Sequence, residues 1–228
     1  MAVIRLDVVG SGTREIPVSY VLNGGYAGRD TAQVQHHVDE LAELGVPAPT
    51  TIPTLYPLSA AQATQAGSTQ VQHARTSGEA EWALIVGDGP DDLLIAAACD
   101  HTDRDLEVHS VAWSKQAGPD ILGDVAWRLS DVEDALDGFS LRAWVTHDGA
   151  ETLIQDGSPG QLLPPRYWAD RLAEAGLLRP GTVVMSGTIP MVPGVDQFAD
   201  GWRVELADGA GNVSRVAYEV EMLPAAWE

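Results

Sequence analysis

The sequence predicts a β-rich α+β fold in one domain, residues 1–228. Three observations carry that reading: strand-type alternation recurs along the chain, helical periodicity is confined to a few short segments, and neither an internal repeat nor a low-complexity linker divides the 228 residues. Two strands lie within 1–22, where Val3, Ile4, Leu6 and Val8 precede a Gly10-Ser11-Gly12 turn and Ile16, Val18, Tyr20 and Leu22 follow it. Asn23-Gly24-Gly25 breaks the pattern. From 31 to 44, Val34, Val38, Leu41 and Leu44 recur at helical spacing, with Asp30 or Thr31 as N-cap and Gly45 as the stop. Pro47, Pro49, Pro53 and Pro57 make 46–58 an extended connector, and a short Ala/Gln-rich helix is expected over 59–66. Residues 79–86 and 93–99 read as apolar strands joined by Gly87-Asp88-Gly89-Pro90. A strand near 141–146 enters a hairpin turn at His147-Asp148-Gly149-Ala150, a helix covers 165–174 and stops at Gly176, and strands follow near 182–185, 202–206 and 214–221.

Composition narrows the function classes. Hydrophobic residues make up 45% of the chain and charged residues 20%, ordinary values for a globular protein. The net charge of −20 with only 13 Lys and Arg leaves no basic stripe to follow a phosphate backbone or to dock on an anionic membrane. The excess carboxylates are spread along the chain and read as a solubility feature. A single cysteine, Cys99, excludes an intramolecular disulfide and fits a reducing compartment. No run approaches the roughly 18 apolar residues of a membrane span, and the N-terminus reads as a strand rather than a signal segment. The expected location is the cytoplasm.

The chemistry concentrates at three acids. Glu79 and Glu81 stand at the entrance to the apolar strand, and residues i and i+2 of a strand face the same way. Two carboxylates held about 4 Å apart repel by roughly 4 kcal/mol at an effective dielectric near 20. A raised pKa, an arginine, open water or a cation relieves that. Asp100 ends the next apolar run and can return to the same end of the sheet. Three oxygen donors suit a hard cation, Mg²⁺, Mn²⁺ or Ca²⁺, rather than zinc.

Ser77-Gly78-Glu79-Ala80-Glu81-Trp82 and Asp100-His101-Thr102-Asp103-Arg104-Asp105-Leu106-Glu107 together resemble the metal-binding core of the fumarylacetoacetate hydrolase family, a G-E-x-E strand followed some twenty residues on by D-x-[TS]-x-R-D-[LW]-[QE]. Ser114-Lys115 resembles that family's downstream lysine, and Ser186-Gly187-Thr188-Ile189-Pro190 its G-T-P turn. The match spans about 75–206, and the whole chain looks most like the uncharacterised DUF2848 branch. The resemblance implies a mixed β-roll with a few peripheral helices, in which 1–58 supply N-terminal strands and a lid-like helix and 59–228 the metal-binding core. It also implies a homodimer and one Mg²⁺, Mn²⁺ or Ca²⁺ per site, held by Glu79, Glu81 and Asp100. The implied substrate is a small-molecule 2-oxo acid or 1,3-dicarbonyl, and the implied reaction C–C bond hydrolysis, decarboxylation or isomerisation through a metal-stabilised enolate. Lys115 would then set a positive charge near a substrate oxygen. Gly187 and Thr188 would hydrogen-bond a substrate carboxylate, and Arg104 with Asp105 would brace the Asp100 loop as an ion pair.

The pattern departs from the family at its N-terminal N-Y-A-x-H segment, whose histidine activates water. Here the stretch is Gly25-Tyr26-Ala27-Gly28-Arg29. Arginine is no general base at neutral pH, so Tyr26 and Arg29 read as substrate-binding residues, Arg29 meeting a carboxylate. The nearest replacement bases are His36 and His37 on the following helix, and His37 shares a helix face with Glu40. His101 should point away from the metal by strand alternation. The seven tryptophans, Trp82, Trp113 and Trp127 among them, read as core and dimer-interface residues, with Trp113 also placed near the pocket. Two other functions fit the same residues: a metal-dependent hydrolase or lyase acting on a non-dicarbonyl small molecule, and a non-catalytic binding protein of the same fold.

Overall fold

The computed structural model describes residues 2–43 and 49–225, apart from the side chains of residues 37, 40, 41 and 43. In chain order its elements begin with β1 (Val3–Val8), β2 (Gly12–Pro17), β3 (Tyr20–Gly25), α1 (Thr31–Glu43), β4 (Thr54–Leu58), β5 (Ala63–Thr64) and β6 (Ser68–Val71). Next come β7 (Thr76–Val86), β8 (Leu93–Asp103), α2 (Arg104–Glu107), α3 (Val111–Ala117), β9 (Asp120–Arg128) and α4 (Leu129–Val132). The chain continues with β10 (Ser140–His147), β11 (Ala150–Gly157), α5 (Pro165–Glu174), β12 (Thr182–Met185), β13 (Gly201–Ala207) and β14 (Val213–Met222). Nine strands form one mixed sheet in the order β2-β1-β9-β8-β7-β12-β3-β4, with β5 paired to β9. The other five form a second sheet, β11-β10-β13-β14-β6.

The central strands β7 and β8 are buried on both faces, which is why their sequences read as unbroken apolar runs. Their two faces feed different cores. Ala83, Ile85, Leu94, Ala96 and Ala98 pack with Ile4, Leu6, Val8, Val21, Leu122 and Met185, all from strands of the same sheet. A sheet whose one face packs on itself must curl, and this one rolls around that cluster. The alternate residues Trp82, Leu84, Ile95 and Ala97 face outward onto the second sheet and α5, meeting Trp202, Val204, Val216 and Trp168. Trp82, Trp168 and Trp202 are fully buried. Each removes some 150–250 Å² from water, worth about 4–6 kcal/mol before ordering entropy is subtracted.

Several sequence expectations hold closely. Asp30 caps α1, its Oδ1 accepting from the Ala32 and Gln33 N–H groups at 2.9 and 3.2 Å; the stop at Leu44 and Gly45 lies outside the described residues. The α5 and β12 bounds match the expected ones. Others change. The connector over 46–58 contains β4, which pairs antiparallel with β3 at the edge of the sheet, where Pro57 loses no ladder bond to a second neighbour. The helix expected over 59–66 is one turn, Ala60–Gln62, before the chain joins β9 as β5. The Gln62 amide donates to the Gln116 and Gly118 carbonyls, so tertiary contacts override the local helical composition. Strand β3 runs through Asn23-Gly24-Gly25 instead of breaking there. A Cβ on Gly24 would stand 2.7 Å from the Met185 carbonyl oxygen, so glycine is what permits β12 to lie this close. Strands β6, β9 and β11 are additional to those read from alternation, and the second strand expected within 1–22 is two, β2 and β3, parted at Val18-Ser19. Among the described residues no helix is long and apolar enough to cross a membrane.

Candidate metal centre

Side-chain parity explains how the acids converge. On β7, Glu79 and Glu81 continue the parity of Ala83 and Ile85; on β8, Asp100 continues that of Ala96 and Ala98. All three therefore point to the inner face of the rolled sheet, and Glu79 lies directly across the ladder from Asp100. One oxygen from each carboxylate lies within 4.8 Å of the other two. By the same parity β9 contributes Asp120, two residues before Leu122, and β3 contributes Asn23, two after Val21. Asp120 pairs in register with Asp100, and its Oδ1 accepts from the Asn23 amide at 3.1 Å. Four strands thus deliver polar side chains to one end of an otherwise apolar interior.

Two cations offset these charges. Lys115, the only lysine in the chain, is carried on α3, whose N-terminus is capped by Ser110. Its ammonium donates to Asp100 Oδ2 and, at 3.2 Å, to Glu79 Oε2. Arg104 opens α2 and donates to Glu79 Oε1 at 2.8 Å, to Ser77 Oγ at 2.7 Å and to both oxygens of Glu107. Burial alone would push the Glu79 carboxyl up, but Lys115 and Arg104 together hold it at about 2. Glu81 and Asp120 are driven well above the usual carboxylate range by burial and by neighbouring carboxylates. Asp100 is raised by burial against the pull of Lys115. The ammonium itself, which burial would destabilise, is held charged by Asp100, Glu79 and Glu81. With all four carboxyl groups ionised, the two cations would leave a deficit of positive charge. Glu81 Oε1, Asp100 Oδ1, Asp120 Oδ2 and Asn23 Oδ1 are all buried acceptors without a hydrogen-bond donor. An all-oxygen donor set with such orphaned acceptors fits a hard divalent cation.

The Ser186-Gly187-Thr188 turn supports the ligand strand. Gly187 N–H donates to Glu81 Oε2 at 2.9 Å. Thr188 Oγ1 donates to the Ala80 carbonyl and accepts from Gln155. Both residues, expected to hold a substrate carboxylate, here hold β7. Gly187 has φ +81°, a left-handed conformation with Ala27 Cβ 3.0 Å from where its own Cβ would stand.

The remaining expected residues separate. Tyr26 is half-buried with φ +55°, and its phenol is raised by burial and by the charge of Glu107, with Lys115 opposing. Tyr56, absent from the sequence reading, feels the same groups and is pushed up to about 12, mainly by burial. Arg29, expected to meet a substrate carboxylate, has its guanidinium engaged elsewhere: Nη1 and Nη2 donate to Asp137 at 2.6 Å each and Nε to the Leu162 carbonyl at 2.7 Å. The side chains of His37 and Glu40 lie outside the described residues. His101 points away from the acids, as alternation requires, between Tyr218 and Thr76 at 2.9 Å each. The expected Arg104–Asp105 pair does not form: adjacent helical positions diverge, so Arg104 turns to Glu79 and Asp105 to Arg75. Trp113 is 65% exposed rather than in the core, because Ser114 and Lys115 take the inward side of α3. Asp120 and Asn23 escape sequence reading because Gly123-Asp124 interrupts the apolar pattern of β9 and Asn23-Gly24-Gly25 mimics a turn. The one available signal is an acid two residues before Leu122.

A family described as "Protein of unknown function (DUF2848)" matches residues 24–218. No curated protein matches the chain in sequence. Solved structures with a similar fold include 2-keto-3-deoxy-D-arabinonate dehydratase complexed with magnesium and 2,5-dioxopentanoate, at TM-score 0.66 and 16% identity over 94% of this chain and 78% of that one. A candidate fumarylpyruvate hydrolase from Burkholderia cenocepacia aligns at TM-score 0.60 and 18% identity over 97% and 92% of the two chains. A yeast protein of the fumarylacetoacetate hydrolase family aligns at TM-score 0.58 and 19% identity over 93% and 96%. The rolled sheet is therefore the fold of fumarylacetoacetate hydrolase family proteins.

Proposed function

The chain belongs to the DUF2848 family, and from that premise we propose that it is a divalent-metal-dependent enzyme of the fumarylacetoacetate hydrolase type, acting on a small 2-oxo acid or 1,3-dicarbonyl compound. The observation that carries this is the pair of fully buried, donorless oxygens, Glu81 Oε1 and Asp100 Oδ1, within the Glu79–Glu81–Asp100 cluster. The magnesium complex of the similarly folded dehydratase supports the same class of ion. Glu79, Glu81 and Asp100 would hold Mg²⁺ or Mn²⁺, and Ca²⁺ satisfies the same donors. When bound, the cation would offset the negative charge that develops on an enolate oxygen.

The chain's own groups divide the remaining work. Lys115 supplies a positive charge beside the acids, in reach of a substrate oxygen. Tyr26 and Tyr56, both half-buried near Lys115, present phenol donors to the same region. Gly187 N–H fixes the Glu81 carboxylate, and Arg104 fixes Glu79. Arg29, tied to Asp137 at the position of the family's lid histidine, supports decarboxylation or isomerisation over hydrolysis. For hydrolytic turnover the proposed base is His37 with Glu40 on α1, and His37→Gln should then abolish activity. A homodimer is the proposed assembly, to be checked by light scattering on the purified chain.

The deciding experiment is an activity screen with acylpyruvates and oxaloacetate, with Mn²⁺ or Mg²⁺ and with EDTA. Turnover should require the cation and fall at least about 100-fold in Lys115→Ala, the scale of losing one charge-stabilising donor. EDTA-insensitive turnover, or Lys115→Ala at wild-type rate, would refute the proposal.

A further inference from the structure

Two of the three carboxylates keep an oxygen with no donor, Glu81 Oε1 and Asp100 Oδ1. Glu79 keeps none: Oε1 accepts from Arg104 at 2.8 Å and Oε2 from Lys115 at 3.2 Å. Its two partners are not equivalent. Arg104 is anchored on other sides by Ser77 and Glu107, and its planar fork is held rigidly by those bonds. Lys115 is a point charge on a flexible stem that bridges Asp100 Oδ2 and Glu79 Oε2. Of the 13 Lys and Arg residues all but this one are arginine, and the single lysine stands here.

We infer that Lys115 keeps the third ligand of the centre in reserve: a cation engages Glu79 only as Lys115 releases Glu79 Oε2, and that release frees one ammonium N–H for a substrate oxygen. Metal loading and the unmasking of the substrate-binding donor are then one event. The Asp100 Oδ2 contact persists, because Asp100 still has Oδ1 to offer the cation. The inference rests on the reading of this cluster as a metal centre.

The test is Mn²⁺ binding by calorimetry to the wild-type chain, Lys115→Met, Glu79→Gln and the double variant. Lys115→Met should bind roughly tenfold more tightly than wild type or better, and the gain should shrink below about twofold in the Glu79→Gln background. An equal gain in both backgrounds would overturn the inference, since the ammonium would then act as a general repulsive charge. Because Lys115 is the only lysine, ¹⁵N-lysine labelling yields one side-chain ammonium resonance, read on the wild-type chain without any variant. It should move on saturation with Mg²⁺; a stationary resonance while calorimetry reports bound Mg²⁺ also overturns it. Absence of cation binding to both wild type and Lys115→Met removes the metal centre itself, an outcome visible before any comparison between variants.

Discussion

Replacing Glu81 with glutamine separates stability from metal binding, because the two should move in opposite directions. The amide matches the carboxylate in shape. Its oxygen can still accept from Gly187 N–H, and its nitrogen can donate to an acceptor now orphaned nearby, such as Asp100 Oδ1. Without metal the substitution removes a charge lying within 4.8 Å of two other carboxylates. At an effective dielectric near 20 each such repulsion between full charges is worth at least about 3.5 kcal/mol, and less in proportion as Glu81 is already protonated. The metal-free variant should therefore be at least as stable as wild type. In the wild-type chain, Mn²⁺ at 100 times its dissociation constant stabilises the fold by about 2.7 kcal/mol. That corresponds to a melting rise of roughly 5–11 °C for a chain of this size. A variant whose affinity falls 100-fold would keep only about 0.4 kcal/mol, or under about 2 °C, at the same Mn²⁺ concentration. Differential scanning calorimetry with EDTA and with Mn²⁺ reads both quantities. A Glu81→Gln chain that keeps the full Mn²⁺ shift would show that Glu81 is not a ligand, and one that unfolds well below wild type in EDTA would show that it is not a source of repulsion.

Three further outcomes follow from the geometry. Gly187→Ala forces a side chain into a left-handed conformation and against Ala27, so it should cost about 1–3 kcal/mol and weaken Mn²⁺ binding by moving the N–H that holds Glu81; a variant with wild-type melting and affinity would show the turn is not needed there. Arg14 clasps Asp92 through two bonds of 2.9 and 2.6 Å and holds that carboxyl below its usual 3.8; Asp92→Asn should lose about 1–2 kcal/mol at pH 7. The loss should persist above pH 3.8 and fade as pH falls through the lower folded value, where wild-type Asp92 also gains a proton; a pH-independent difference in urea midpoints would contradict it. Arg29→Ala should cost under about 1 kcal/mol, since its Asp137 partner is exposed, and should leave KM unchanged, whereas a tenfold rise in KM would return Arg29 to the substrate site.

Much of the centre was legible because a strand's side-chain period is fixed by backbone geometry. Glu79 and Glu81 had to share a face, and the unbroken apolar runs after Glu81 and before Asp100 marked strands buried on both sides. The acids of β7 and β8 therefore announced themselves locally, and the family-like segment from Asp100 to Glu107 pointed to a cation. Lys115 stood out as a rare residue type in the right order. Other residues carried no such local mark. Arg104 chose Glu79 over its neighbour Asp105, and Arg29 found Asp137 from 108 positions away. Asp120 and Asn23 joined the acids only because β9 begins and β3 finishes beside the place where β7 begins and β8 finishes. Which residues could face inward along each strand was written locally, since that follows from alternation and burial. Which strand ends meet, and which cation each carboxylate receives, came from the fold as a whole, because curling one sheet around its own core brings together charges that are distant in the chain and whose pairing no local spacing encodes.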